Sequence, residues 1–198
     1  MALEPTRRLF TVEEYHRLGE AGILGKRDRV ELIEGEIILM GPIGNRHAAC
    51  VARLTELFVS RLFGRVSVWP QNPATLTDLS EPEPDLSLLR RREDFYASRH
   101  PGPEDILLVV EVADTSLSFD QSVKGRLYAA TGVPEYWIVD LAHGRLEVYR
   151  NPGQEGYGEV ERLNADAVVA PAAFPDLSIR VGALLVPPDD VPAGNAGA

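Results

Sequence analysis

Cysteine occurs once, at Cys50, in a chain of 198 residues. A single thiol excludes an intrachain disulfide and a cysteine-built zinc site, and it points to a reducing, cytoplasmic compartment. Basic residues are outnumbered, with 20 Lys and Arg against 30 Asp and Glu and a formal charge of −10. A broad nucleic-acid surface carries the opposite sign, so tight non-specific duplex binding is disfavoured. Local binding stays open through Arg7-Arg8 or Arg90-Arg91-Arg92, clusters whose plain reading is a solvated face. Long apolar runs are missing too. None approaches the roughly 18 residues of a membrane span, and MALEPTRRLFTVEEY lacks the apolar core of a secretory signal. Nor is there a glycine-rich phosphate cradle, because GEAGILG and GPIG stand outside the strand–helix context it needs.

What is present suits one α/β domain. The chain is 44% hydrophobic and 25% charged, ordinary for a globular fold. Thr11 and Glu14 form a capping box opening a short helix that Gly19 or Gly22 ends. RVELIEGEIILM predicts a hairpin turning at Glu34-Gly35. Residues 45–63 place Ala48, Val51, Leu54, Leu57, Phe58 and Leu62 at helical spacing. VSVWPQ, ATLTD and DLSLLR read as strands, REDFYASRH as a short helix, and ILLVVEVA as the central strand. A helix over 119–131 and the strand PEYWIVD complete a strand–helix–strand unit, predicted to be a parallel crossover. The domain is expected to span residues 1–186, with the Pro/Gly/Ala-rich tail 187–198 disordered.

One residue breaks the pattern. Glu111 stands inside ILLVVEVA, a strand with no structural use for a carboxylate unless it meets a cation. Asp85, after Pro84, opens a neighbouring strand, and Lys124 lies on the helix beyond Glu111. Two carboxylates held close repel, and a divalent cation relieves the repulsion. Mg²⁺ suits such a site, with Mn²⁺ as its substitute. Glu31, His47, Asp120 and Tyr128 are further candidates. Each has a plain reading. Asp85 can satisfy loop amides, and Glu111 can form a buried ion pair. Glu31 alternates with Val30 and Leu32 as a solvent-facing position. His47 fits a surface or hydrogen-bonded role, Asp120 an (i, i+4) pair with Lys124, and Tyr128 packing on the lysine stem.

Pro84-Asp85, followed by Glu111 in an apolar strand, resembles the signature of the PD-(D/E)XK nuclease superfamily. EVADTSLSFDQSVKGRLYAATGVPEYWIVD, together with RVELIEGEI, His47 and PEPDLSLL, is similar to the Uma2 family of restriction-endonuclease-like proteins in that superfamily. The resemblance covers about residues 8–185. It implies a restriction-endonuclease-like mixed sheet flanked by helices, with catalytic Asp85, Glu111 and Lys124, and with Mg²⁺ or Mn²⁺ on Asp85 and Glu111. One departure stands out. The motif's lysine would fall at position 113, which is Ala113, so the resemblance implies that Lys124 takes that role from the next helix.

Two functions follow. The first is a Mg²⁺-dependent endonuclease acting on DNA, expected as a homodimer because cutting both strands takes two sites. The second is a catalytically inactive nuclease-fold module for binding or assembly, motivated by the acidic charge and Ala113. A metal-dependent hydrolase of small phosphoesters ranks below both. Tyr136 and Trp137 read as core or interface aromatics, and His16, His100 and His143 carry no motif.

Overall fold

The computed structural model describes residues 7–25 and 28–186. The expected tail, 187–198, lies outside the described residues. The chain enters through helix α1 (Val12–Glu20), where Thr11 and Glu14 close the capping box reciprocally. Gly22, with φ 72°, follows the helix end. Strands β1 (Val30–Ile33) and β2 (Glu36–Leu39) form the hairpin. Glu34 and Gly35, at φ 49° and 80°, supply the two positive φ values of its turn.

Helix α2 (Asn45–Arg61) precedes a six-stranded sheet of order β3-β4-β5-β6-β7-β8. Its strands are β3 (Val66–Pro70), β4 (Leu86–Arg90), β5 (Ile106–Ala113), β6 (Glu135–Asp140), β7 (Arg145–Gly153) and β8 (Gly156–Asn164). Only β5 and β6 run parallel, joined by the helical segment between them, and every other pair is antiparallel. β3 takes the sheet edge, where the missing N–H of Pro70 costs no ladder bond. The fold is a mixed central sheet with helices against it.

The strand period of two decides which core each residue joins. Leu108, Val110 and Val112 of β5, with Trp137 and Val139 of β6, pack with Leu54 and Phe58 of α2. The C-terminal residues Phe174, Ile179 and Leu184 join that cluster. Val109 and Ala113 lie on the opposite face with Tyr136, Ile138, Leu127 and Tyr128. Each side chain of Leu or Phe size buried this way contributes about 1.5–3 kcal/mol. Glu111 shares the parity of Val109 and Ala113, so it points toward the β5–β6 crossover.

That crossover departs from a uniform helix. α3 (Leu117–Phe119), a π turn over Asp120–Lys124 and α4 (Gly125–Ala130) follow one another with helical backbone angles at each junction. Two expected elements are absent. Residues 74–78 form no strand, only an isolated bridge between Thr77 and Ser80, because their amides bond to loop carbonyls of Pro82, Ser80 and Pro101. Residues 92–100 form turns, not a helix. There Asp94 takes bonds from Arg92, Ser98 and the Tyr96 amide, while Phe95 and Tyr96 adopt positive φ. Local side-chain bonds of this kind outcompete a helical ladder.

Candidate functional site

The site grows from the register of β4 and β5. Leu86 lies opposite Val110, so the next step of the ladder brings Asp85 beside Glu111. Backbone amides tie the two strands together there: the Val112 amide donates to Asp85 Oδ2 at 2.9 Å, and the Asp85 amide reaches Glu111 Oε2 at 3.3 Å. Glu111 Oε1 accepts from Lys124 Nζ at 3.0 Å and from the Tyr128 hydroxyl at 2.9 Å. On its other side Lys124 Nζ sits 3.1 Å from Glu31 Oε2, which also accepts from the Glu83 amide. His47, in the first turn of α2, places Nε2 2.9 Å from Asp85 Oδ2. Its Nδ1 is buried without a hydrogen-bond partner among the described residues.

A lysine on the crossover reaches the β5 carboxylate because the π turn carries both Asp120 and Lys124 inward. The Gly125 amide closes that turn on the Asp120 carbonyl, which also accepts from the Tyr136 hydroxyl at 3.2 Å. A Cβ at Gly125 would stand 3.3 Å from the same carbonyl oxygen, a reason for glycine there. π turns of this type recur at functional sites.

Burial sets the electrostatics. Glu31, Glu111, Asp120 and Lys124 are each at most 5% exposed. Burial, set against the Lys124 ammonium and reinforced by Asp85, Asp120 and Glu31, holds Glu111 well above the usual carboxylate range. Burial also raises Asp120, against Lys124 and the Ser116 hydroxyl bonded to it. For Lys124 burial opposes the charge, but Glu111, Glu31 and Asp120 together outweigh it and keep the ammonium protonated. His47 is raised by its bond to Asp85 against the cost of burial.

These groups line a cleft of about 500 Å³ bounded also by Met40, Gly41 and Ser116. Its wall carries six carboxylates (Glu31, Glu83, Asp85, Glu111, Asp114 and Asp120), against the cations Arg29 and Lys124. The cleft lies at the C-terminal end of β5, beside its parallel neighbour β6, which is where α/β sheets place ligands.

A model of the Uma2 family, described as "Putative restriction endonuclease", matches residues 12–182. The chain belongs to the Uma2 family. Its fold is also similar to a solved structure from Anabaena variabilis ATCC 29413, described as "a putative nuclease belonging to DUF820". The two share 19% identity and a TM-score of 0.67 over 88% of this chain and 97% of that one, a likeness of fold. No curated protein matches the chain.

The Uma2 chain thus brings together Asp85, Glu111, Lys124, Glu31, His47, Asp120 and Tyr128 around one cleft or its inner wall. Three plain readings are overturned. Glu31 is buried at 2% exposure, because Lys124 and the Glu83 amide hold it inward. Lys124 pairs with Glu111 and Glu31 instead of Asp120, whose carboxylate takes the Ser116 hydroxyl. Tyr128 does more than pack, since its hydroxyl bonds Glu111. The sequence reading missed Glu83 and Arg29. Glu83 had a signal: in Glu81-Pro82-Glu83-Pro84-Asp85 the prolines favour extended backbone, so alternate residues share a side.

Proposed function

We propose that this Uma2 chain is a Mg²⁺-dependent endonuclease hydrolysing phosphodiester bonds of DNA. The observation that carries the reading is Glu111: a buried carboxylate with one oxygen taken by Lys124 and Tyr128, and the other held only by the long Asp85 amide contact. The donor set fits a divalent cation. Six carboxylates crowd a cleft with two cations, Glu111 is held above its ordinary range by burial with Asp85, Asp120 and Glu31 adding, and oxygen ligands suit Mg²⁺ or Mn²⁺. Asp85 and Glu111 would hold the ion, with Glu31 as a further carboxylate. When bound, such an ion activates water and neutralises charge on a phosphoryl oxygen.

The chain's own residues divide the remaining work. Lys124, locked between Glu111 and Glu31, presents a fixed positive charge where charge develops on the phosphoryl group. Tyr128 fixes the rotamer of Glu111, and His47 fixes that of Asp85. Arg29 on the cleft wall offers the one further cation for a phosphate among the described lining residues.

Cleavage of supercoiled plasmid in Mg²⁺ tests the proposal. Glu111→Gln keeps the shape and removes the charge, and its nicking rate is expected to fall at least about 100-fold. Equal rates for wild type and Glu111→Gln would overturn it. A second reading, a nuclease-fold binding module, draws on the −10 charge and on Ala113. It predicts no Mg²⁺-dependent nicking by wild type and no heat of Mg²⁺ or Mn²⁺ binding that Asp85→Ala removes.

A further inference from the structure

A second group of ligand-type side chains lies outside this cleft and joins three distant segments. His16 comes from α1, Glu81 from the segment bridged to β1 through Leu32, and His100 from the loop after the turns at 92–99. His16 Nε2 stands 2.6 Å from Glu81 Oε1, and the Thr75 hydroxyl donates to Glu81 Oε2 at 2.6 Å. The His16 and His100 rings meet edge to face with centroids 6.1 Å apart. One ligand atom from each of the three residues lies within 4.8 Å of the other two.

Three features suit a metal better than a hydrogen-bonded trio. Glu81 is 2% exposed, yet among the described residues its one ionisable cationic partner within ion-pair distance is His16. A buried carboxylate held by one imidazole lacks the full cation that Glu111 and Glu31 find in Lys124. The Thr75 bond orients the carboxylate from behind, as outer-shell partners of metal ligands do. Both histidines also border a cleft of about 410 Å³, which would give a bound ion room for a further ligand from solvent.

We infer that His16, Glu81 and His100 form a second metal site, one that binds Zn²⁺. Two imidazoles and a carboxylate with an open fourth position are a zinc donor set, and nitrogen ligands discriminate against Mg²⁺. Tetrahedral bonds of about 2.0–2.2 Å place ligand atoms roughly 3.3–3.6 Å apart, so small side-chain rotations close the site from its present spread. Its effect follows from α1, which contains no buried residue. The ion ties that lightly anchored helix to the 100 loop across Glu81, which lies four residues before Asp85.

Zn²⁺ titration of the full chain by calorimetry, with Mg²⁺ in excess to occupy the acidic cleft, tests the site. One equivalent is expected to bind wild type, and His100→Ala or His16→Ala to weaken it at least 10-fold, with Zn²⁺ no longer raising Tm. His100 donates no side-chain hydrogen bond among the described residues, so its variant reports ligation and not misfolding. Co²⁺ substitution adds a geometric readout, since a tetrahedral site gives intense visible absorption that the His100 variant loses. Zn²⁺ affinity unchanged in both variants, or no Zn²⁺ heat with wild type, would overturn the inference. The Glu111→Gln nicking assay is untouched by either result, so the two proposals fail separately.

Discussion

At the residue scale, a carboxylate survives inside an apolar strand because three donors reach it. Lys124, Tyr128 and the Asp85 amide all converge on Glu111. Removing one donor leaves part of a buried charge unsatisfied, which costs about 1–3 kcal/mol. Tyr128→Phe is therefore expected to lower the unfolding free energy by that amount, read as a lower urea midpoint with an unchanged m-value. Lys124→Met is more severe, because Glu111 and Glu31 then share a dry pocket with no ammonium, and the expected loss is about 3–5 kcal/mol. Pairing it with Glu111→Leu should recover part of that loss, since apolar replacement of a buried ion pair is often neutral. A double variant as unstable as Lys124→Met would show that the lysine stabilises the fold through something other than Glu111.

At the element scale, the π turn is the device that lets a lysine 13 positions after Glu111 bond to it. In an ordinary helix interior, Gly→Ala stabilises by about 0.5–1 kcal/mol. At Gly125 the added Cβ meets the backbone carbonyl of Asp120, which is already committed to the turn and to Tyr136. Backbone cannot give way as a side-chain tip can. Gly125→Ala is therefore expected to destabilise, by about 1 kcal/mol in urea unfolding. A gain in stability would mean the segment relaxes to regular α-helix, and Lys124 would then leave Glu111.

At the scale of the whole molecule, Cys50 reports on how α2 and the C-terminal segment seal one face of the sheet. Its thiol is 0% exposed and donates to the Leu184 carbonyl at 3.3 Å. Burial, with Asp85 adding, lifts the thiol to about 12. An unfolded thiol titrates near 8.5, so the folded state holds this proton more tightly. That contribution is intact below the unfolded value and is lost as pH rises through the folded one. The stability gap between wild type and Cys50→Ala should therefore narrow between about pH 9 and pH 11. Thiol labelling of native protein at neutral pH should also proceed only at the rate of global opening. Fast labelling in the native state would place the opening in α2 alone.

The same scale separates what was legible in the chain from what was not. Local chemistry determined the Thr11–Glu14 capping box, the Glu34-Gly35 turn, helix α2 and the succession of strand, helix and strand from β5 to β6, because each element depends on neighbours a few residues away. Glu111 was conspicuous because a carboxylate in a run of Leu and Val has no local excuse, and Asp85 because the prolines fix its strand start. Residues 92–100 were misread because Asp94 and Tyr96 bind back locally, which apolar periodicity does not register. The inward turn of Glu31, the exchange of Asp120 for Glu31 as partner of Lys124, and the meeting of His16 with Glu81 and His100 span 19 to 93 residues or turn on one extra residue in a helical turn. Such pairings are decided only when a hairpin, a π turn and a loop pack against one sheet, since a buried charge takes its partner from the three-dimensional neighbourhood and not from the sequence beside it.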